Sequence, residues 1–173
     1  MTLGGVMLLK DGRKVLVRPL ELADKEAVVA FYASLSPQAL RWSLPPYDRA
    51  RVERFFSAPE QLIGVVGEAE GKIVGHLHIF RFVSRMSHVG ELIIYLHQNY
   101  ANVGLGSALM REGLELAKAR GLRRVQLSVI AANANAIHLY EKLGFHREGE
   151  RPGSYLGEDG RYYDSVDMGL ILS

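Results

Sequence analysis

Two segments of the 173-residue chain combine residue types that could hold and process a phosphorylated ligand. In the first, Gly104 and Gly106 stand where a helical pattern begins, and glycine lets the backbone approach a ligand closely. Free N–H groups and the helix dipole at such a position form an anion site that suits a pyrophosphate. A dinucleotide-binding fingerprint would need Gly or Ala where Leu109 stands, and no Walker lysine follows, so both of those interpretations are weakened.

The second segment places a polar residue and an aromatic residue at helical spacing. Seven helical residues turn through about 700°, so Asn133 and Tyr140 lie along nearly the same stripe of a helix. One ligand could therefore contact both side chains. The alternative is that Asn133 only caps the helix, while Tyr140 is a core aromatic residue with its hydroxyl at the rim.

The elements that must position these segments follow from hydrophobic periodicity and turn residues. The sequence predicts strands at Val15–Val17, Leu62–Glu68, Ile73–Phe82, Val89–Leu96, Arg124–Ile130, Phe145–Arg147 and Tyr162–Leu172. It predicts helices at Lys25–Ser34 (capped by Asp24), at Arg49–Ser57, at Gly104–Arg120 and from the Asn133 cap to Leu143, with an irregular segment at Ala39–Pro46. The order β-α-α-β-β-β-α-β-α-β-β indicates an α/β protein with one mixed sheet and helices packed on it.

Composition restricts the class of protein. With 48% apolar and 23% charged residues, the chain is expected to form one soluble domain over residues 1–173, with a core in about 14–172. The absence of cysteine excludes disulfides, thiolate metal sites and cysteine nucleophiles.

The apolar run Val6–Leu9 is too short for a signal peptide and no stretch could span a bilayer, which predicts a cytoplasmic protein without a membrane partner. A net charge of +2 without a long basic run argues against a nucleic-acid partner.

Taken together, the two segments resemble the Gcn5-related N-acetyltransferase (GNAT) superfamily, closely over about residues 89–145. The family's signature before the helix is Gln or Arg, two residues, Gly, one residue, and Gly or Ala. Gly104 and Gly106 match this signature, whereas Ala101 stands at the Gln or Arg position. The later pattern of Asn, two residues, Ala, three residues and Tyr, with Gly and Phe after it, is matched by Asn133, Ala136, Tyr140, Gly144 and Phe145.

The resemblance implies an acyl-CoA N-acyltransferase fold with acetyl-CoA as the donor, and no metal. It implies that the pyrophosphate lies on the backbone of residues 103–107, and that the pantetheine arm runs antiparallel to the strand end at Leu96. The implied cofactor-binding residues are Ile94, Tyr95, Leu96, Val103, Gly104, Leu105, Gly106, Ser107, Asn133 and Tyr140. Ala101 puts one side-chain contact in doubt, because the family's grip on the pyrophosphate is mainly through backbone N–H groups.

The chain is most similar to amino-acid or small-amine N-acyltransferases of the superfamily, so a primary amine is the expected acceptor. Leu35, Ser36, Pro37 and Arg41 faintly resemble protein-lysine acetyltransferases, which leaves a peptide acceptor open. Ser128 stands where ribosomal-protein alanine acetyltransferases carry Glu, which disfavours that subgroup. A catalytically silent acyl-CoA sensor and an enzyme that uses the glycine loop for a nucleotide phosphate are further alternatives. Dimers are common among relatives, which leaves a homodimer open.

Direct transfer of an acetyl group to an amine needs a base, an oxyanion donor and an acid for the leaving thiolate. The resemblance implies a backbone N–H near residues 94–96 as the oxyanion donor and Tyr140 as the acid. Glu91 is the favoured base, because it is a carboxylate in an otherwise apolar strand and shares a face with Val89 and Tyr95. The alternative is that Glu91 pairs with a neighbouring Arg or faces solvent.

Other residues could take part in the chemistry. The alternative bases are His76, His78, His88 and His97. His76 and His78 lie two positions apart on one strand face and could bind a metal, but no third ligand is evident and a structural role is favoured. Tyr162, Tyr163 and Asp164 could line an amine pocket, or form a half-buried terminal strand, which is the commoner case.

Overall fold

One mixed β-sheet organises the computed structural model, which describes residues 4–173. Its strands are β1 (Gly5–Leu8), β2 (Lys14–Pro19), β3 (Leu62–Ala69), β4 (Lys72–Arg81), β5 (Val89–Leu96), β6 (Arg124–Ile130), β7 (His146–Leu156) and β8 (Tyr162–Ile171). The helices are α1 (Lys25–Ala33), α2 (Pro37–Leu40), α3 (Arg49–Arg54), α4 (Leu105–Ala119) and α5 (Ala134–Lys142). Within the described residues, no helix combines the length and the apolar character needed to cross a lipid bilayer.

The strand order across the sheet of the described chain is β1-β2-β3-β4-β5-β6-β8-β7. Every neighbouring pair is antiparallel except β5 and β6, which run parallel and pair only where they begin. Their register runs from Val89 opposite Arg124 to Glu91 opposite Gln126. Beyond these pairs the rest of β5 stays bonded to β4 and the rest of β6 to β8, so the two strands diverge. The gap between their carboxyl ends is called the splay below.

Helices cover the two faces of the sheet over separate hydrophobic cores. On one face α4 and α5 pack on the central strands, and a Cβ on Gly75 would lie 2.7 Å from Leu109 of α4. Glycine in β4 therefore allows this helix to lie close to the sheet. On the other face α1 and α3 cover β3 and β4, with Val28, Phe31 and Val52 buried between them.

The predicted mixed α/β fold is confirmed, and β5 and β6 have the predicted bounds. The predicted order of elements is incomplete, because β1 and the short helix α2 were not expected. β1 pairs with β2 through a turn in which the Leu9 N–H donates to the Arg13 carbonyl at 2.8 Å. The sequence signal for this hairpin is the dipeptide Asp11–Gly12, with Gly12 in the left-handed region at φ +87°.

Two further predictions are wrong. β7 continues to Leu156 instead of ending at Arg147, because register shifts against β8 accommodate the residues around Pro152 that read as a loop. The Asp24 side chain does not cap α1. Its carboxylate instead accepts hydrogen bonds from the Arg18 guanidinium and the Glu21 backbone N–H, each at 2.8 Å.

Candidate active site

The loop that enters α4 presents a row of free backbone N–H groups. We call residues 103–107 the amide loop, and within residues 4–173 none of its N–H groups donates to a protein acceptor. Gly104 turns the chain into the helix from the left-handed region, at φ +98°. The N–H groups of a first helical turn lack intrahelical partners and carry the positive end of the helix dipole. The amide loop is therefore suited to an anion such as a diphosphate.

A lysine from the β1–β2 turn lies beside the amide loop. The Lys10 N–H donates to the Val103 carbonyl at 3.0 Å, and Lys10 Cγ lies 4.0 Å from where a Cβ on Gly104 would be. Ala101, at the Gln or Arg position of the signature, is exposed. Lys10 thus brings to this loop a positive charge that residue 101 does not supply. The sequence analysis did not predict the position of Lys10. That position depends on the β1–β2 hairpin, and the Asp11–Gly12 turn had not been interpreted as a hairpin turn.

The amide loop, the end of β5 and helix α5 meet at one glycine. A Cβ on Gly106 would lie 3.3 Å from Leu96 of β5 and 3.3 Å from Leu139 of α5. The lack of a side chain at residue 106 lets these three elements approach each other. The structure therefore brings the predicted phosphate loop, the predicted pantetheine strand and the helix of Tyr140 to the same edge of the splay.

The ring of Tyr140 is buried, and its hydroxyl makes no hydrogen bond to the described residues. The side chain is 8% exposed, and its ring packs against Phe145 with centroids 5.9 Å apart. Burial raises the pKa of the Tyr140 phenol to about 12, and no hydrogen bond to the described residues contributes to that pKa. The phenol is therefore a neutral hydrogen-bond donor at physiological pH.

Asn133 has the capping role that the sequence left as an alternative. Its Oδ1 accepts a hydrogen bond from the Ala136 N–H at 3.4 Å, at the N-terminus of α5. A side-chain acceptor at this position satisfies one of the free N–H groups of the helix. A ligand contact by Asn133 stays a prediction.

Glu91 lies on the face of the sheet opposite α4, where it lines a polar cleft of about 440 Å³. The other lining residues of this polar cleft are Gln126, Leu127, Ser128, Glu148, Gly149, Arg151, Asp167 and Met168. Arg124 pairs with Glu148, and Arg151 pairs with Asp167 at 2.7 Å. Glu91 is half-buried and takes part in none of the ion pairs of the described residues. Its carboxylate therefore lies at the cleft without an ion-pair partner among the described residues.

His76 and His78 are enclosed by aromatic side chains in the second core. The Tyr32 hydroxyl lies 3.0 Å from His76 Nδ1, and the His78 ring lies 4.6 Å from Phe55 and 4.9 Å from Phe80, centroid to centroid. Burial lowers the pKa of His76 to about 3 and the pKa of His78 well below 6.5, so both rings are neutral. Within the described residues, no third metal-ligating side chain joins them. The arrangement agrees with the structural role favoured from the sequence.

The other two histidines considered as alternative bases are His97 and His88. His97 Nδ1 accepts the N–H of Asn99 at 3.3 Å in the turn after β5. His88 is exposed, and its carbonyl accepts the N–H of Arg123 at 2.8 Å. Neither histidine lines the polar cleft.

Tyr162, Tyr163 and Asp164, which could line an amine pocket, lie on β8 in the β7–β8 hairpin. Tyr162 is 74% exposed. The Tyr163 hydroxyl donates to Asp159 at 2.7 Å, and the Asp164 carboxylate accepts from the Gly153 N–H at 2.8 Å. The polar atoms of Tyr163 and Asp164 are thus used within the hairpin.

Comparison with known proteins identifies the family. The model of the acetyltransferase (GNAT) family matches residues 26–145. The L-amino acid N-acetyltransferase AaaT of Escherichia coli (strain K12) is 33% identical over 164 residues, which cover 91% of this chain and 98% of that protein.

Solved structures give the same assignment. An acetyltransferase of the GNAT family from Streptococcus pneumoniae aligns with a TM-score of 0.78 and 30% identity, covering 91% of this chain and 99% of that chain. A GNAT superfamily phosphinothricin acetyltransferase from Sinorhizobium meliloti, solved in complex with acetyl-CoA, has the same fold with a TM-score of 0.79 and 24% identity, covering 96% of this chain and 90% of that chain.

The fold of this chain is therefore that of the acetyltransferases. Its sheet opens between two parallel strands, and a helix begins at the opening. The chain belongs to the acetyltransferase (GNAT) family and is an N-acetyltransferase. The resemblance carried by the glycine signature and the later Asn-to-Tyr pattern is confirmed.

Proposed function

We propose that the protein transfers the acetyl group of acetyl-CoA directly to the primary amine of a free amino acid or a similar small molecule. The observation that carries the proposal is the junction at Gly106, where free amides, the splay and the Tyr140 helix come together. The activity of the E. coli relative on L-amino acids and the acetyl-CoA bound in the S. meliloti structure support the choice of acceptor and donor.

The amide loop is the proposed site for the pyrophosphate of the donor, through the N–H groups of Val103, Gly104, Leu105, Gly106 and Ser107. Lys10 adds a positive charge beside them. Within the described residues, the backbone of Ile94, Tyr95 and Leu96 has no partner strand across the splay, so an extended pantetheine arm can pair there as an added strand. Asn133 is the proposed contact at the start of α5.

Residues on both faces of the sheet would share the chemistry. A backbone N–H near residues 94–96 would donate to the thioester oxygen as negative charge develops on it. Glu91 would accept the proton of the amine, directly or through a water, as the new C–N bond forms. The thioester C–S bond then breaks, and Tyr140 would donate a hydrogen bond to the departing sulfur.

The pKa of Tyr140 defines what this phenol can do. A thiol has a pKa near 8.5, below the value of about 12 for Tyr140, so the phenol holds its proton more tightly than a thiolate attracts it. Tyr140 would therefore stabilise the thiolate by hydrogen bonding, and complete protonation of the sulfur would come from solvent. Its acid role thus lies in stabilising charge in the transition state.

A thiol-release assay tests the proposed function. The protein has no cysteine, so a thiol-reactive dye detects free CoA without background from the protein. We expect CoA release with at least one free L-amino acid or phosphinothricin, and slower release with polyamines and with a lysine-containing peptide. Turnover with the peptide alone would move the acceptor to proteins. Tight binding of acetyl-CoA in calorimetry without turnover on any amine would contradict the proposal, and stronger thermal stabilisation by ATP than by acetyl-CoA would contradict the donor.

The remaining expectations from the sequence stay part of the proposal. They are one domain over residues 1–173, a cytoplasmic location, a possible homodimer, and no nucleic-acid or membrane partner.

A further inference from the structure

The turn between β1 and β2 is held by its own hydrogen bonds. We call residues 9–13 the clamp turn. The Leu9 N–H donates to the Arg13 carbonyl at 2.8 Å, and the Gly12 N–H donates to the Leu9 carbonyl at 3.0 Å. The Asp11 carboxylate accepts from Arg13 Nε at 2.8 Å and from Arg13 Nη2 at 2.6 Å. The orientation of the Arg13 guanidinium is therefore fixed within the turn.

Arg13 also contacts the segment that leads from β5 into the amide loop. Its Nη2 donates to the Asn99 carbonyl at 2.5 Å, and its guanidinium carbon lies 3.9 Å from the centre of the Tyr100 ring. A guanidinium can make both contacts at once because it is planar, with donors at its edge and a flat face that stacks on an aromatic ring. Arg13 and Asn99 are 86 residues apart in the chain. One side chain thus joins the hairpin to the start of this segment.

The clamp turn holds the other end of the same segment through its backbone. The Lys10 N–H donates to the Val103 carbonyl at 3.0 Å. A peptide unit is planar and trans, so a carbonyl and the N–H that follows it point in opposite directions. The hydrogen bond from Lys10 therefore directs the Gly104 N–H away from the clamp turn, where it has no protein acceptor among the described residues.

The backbone between these two contacts has an unusual conformation. Asn102 lies in the left-handed region at φ +62°, two residues before Gly104 at φ +98°. Asparagine tolerates this region better than most residues, yet such a conformation persists only where the surrounding structure fixes it. The exposed Ala101 brings no polar side chain that could do so. The clamp turn instead contacts the segment on both sides of Asn102.

We propose that the clamp turn orders the amide loop before the donor binds, and that Arg13 is a positioning residue for acetyl-CoA. The inference rests on the proposed function, since it takes the amide loop as the pyrophosphate site. A loop that already has its bound conformation loses less conformational entropy on binding, so the ligand binds more tightly. Loss of the Arg13 contacts should therefore weaken donor binding and leave acceptor binding and the chemical step unchanged.

Binding and kinetics of Arg13→Ala test the role of Arg13. We expect the Kd of CoA, measured by calorimetry, to rise at least about fivefold, and the KM for acetyl-CoA to rise with it. Both kcat at saturating acetyl-CoA and the KM for the acceptor should stay within about twofold of wild type. The matched control is Arg85→Ala, which removes the same charge from an exposed arginine between β4 and β5 and should bind CoA as wild type does.

A lysine at residue 13 separates geometry from charge. Arg13→Lys keeps the positive charge but lacks the planar group that contacts Asp11, Asn99 and Tyr100 together. We expect the Kd of CoA for this variant to stay at least about threefold above the wild-type value. Full recovery of wild-type affinity would show that Arg13 acts by charge alone and would overturn the inference.

Tyr100→Leu tests the same contact from its other side. The variant removes the ring on which Arg13 stacks and should also weaken CoA binding. Because the two residues act through one contact, the double variant should be weakened less than the product of the two single effects. Single effects that multiply in full would contradict the shared contact.

Nuclear magnetic resonance of the ligand-free protein gives a readout that needs no cofactor. Backbone order parameters of the Gly104 and Gly106 amides report motion of the amide loop on the picosecond to nanosecond timescale. Both values should fall in Arg13→Ala and stay at the wild-type level in Arg85→Ala.

The outcomes separate this inference from the proposed function. An unchanged Kd of CoA in Arg13→Ala, an equal rise in Arg85→Ala, or unchanged order parameters of the amide loop would overturn the inference. A loss of kcat at saturating acetyl-CoA without a rise in its KM would overturn it as well. Failure of the wild-type protein to bind CoA would overturn the proposed function, and the order parameters would still decide whether Arg13 orders the amide loop.

Discussion

Tyr140 keeps a hydrogen-bond donor at the junction of the amide loop, β5 and α5, without a partner in the described residues. Tyr140→Phe is expected to lower kcat at least about tenfold while KM for acetyl-CoA changes less than about twofold. The reason is that the hydrogen bond gains most of its strength when negative charge appears on the sulfur. Release of free CoA under saturating substrates measures the change. An unchanged kcat would remove Tyr140 from the mechanism.

The proposed role of Glu91 as the base can be separated from a packing role by the pH dependence of the rate. Glu91→Gln keeps the size of the side chain and removes the proton acceptor, so kcat/KM for the acceptor should fall at least about tenfold at neutral pH. The deficit should shrink as the pH rises through the pKa of the acceptor amine, because the amine then arrives already deprotonated. A rate profile from neutral to alkaline pH checks this. A constant ratio of variant to wild type across that range would assign Glu91 a structural role.

Candidate residues could be predicted from the sequence where they lie in a segment with a regular hydrophobic period. Tyr140 follows Asn133 by two helical turns, and Glu91 interrupts an apolar strand, so spacing and the family resemblance together singled them out as candidates whose roles stay predictions. Lys10 was not singled out, because it reaches the amide loop from a segment far away in the chain. Contacts of this kind depend on which strands become neighbours, and a single sequence does not display that.

At the scale of elements, the β1–β2 hairpin brings Lys10 beside the amide loop, which is the proposed pyrophosphate site. Lys10→Ala should raise KM for acetyl-CoA about three- to tenfold with little change in KM for the acceptor, since a positive charge near the phosphates is lost. Salt should weaken the difference, because exposed charges are screened. Lys14→Ala, an exposed lysine of the same hairpin, is the matched control and should behave as wild type. Equal effects of the two substitutions would point to net charge alone.

The elements that were predicted well are those with a single strong period. Apolar and polar residues alternate regularly in β6, apolar residues recur at helical spacing in α4, and β5 is a largely apolar run. The bounds of these three elements agree with the prediction to within a residue. β7 was shortened because Pro152 and Gly153 read as a loop, whereas two register shifts keep the strand paired with β8. Bulges of this type are decided by the partner strand, so local propensity does not show them.

At the scale of the whole molecule, the sheet separates the two proposed substrates. The amide loop and Tyr140 lie on the side of α4 and α5, whereas Glu91 and the polar cleft lie on the opposite face. The splay is the opening through which the two sides communicate, and it exists because β5 and β6 each remain bonded to their outer neighbour. Composition predicted one globular chain but could not predict the splay, which is a property of strand pairing.

The second core makes the stability of the molecule depend on pH. Burial lowers the pKa of His76 to about 3 and that of His78 well below 6.5. Below pH 6.5 the unfolded chain therefore binds protons that the native protein does not, so the free energy of unfolding falls as the pH falls. For one such histidine the loss is about 2 kcal/mol at pH 5.

His78→Phe should remove one of these two proton-binding sites and place an apolar ring between Phe55 and Phe80. Between pH 7 and pH 5 the variant is expected to lose about 2 kcal/mol less stability than wild type, measured by urea unfolding at both values. Carboxylates such as Asp24, whose pKa is lowered by its hydrogen bond with Arg18, add acid sensitivity to both proteins and cancel in the difference. His88→Gln, which changes an exposed histidine, should keep the wild-type loss. If His78→Phe and wild type lose equal stability, the native protein must protonate His78 as readily as the unfolded chain does, and the core must open to water at that position.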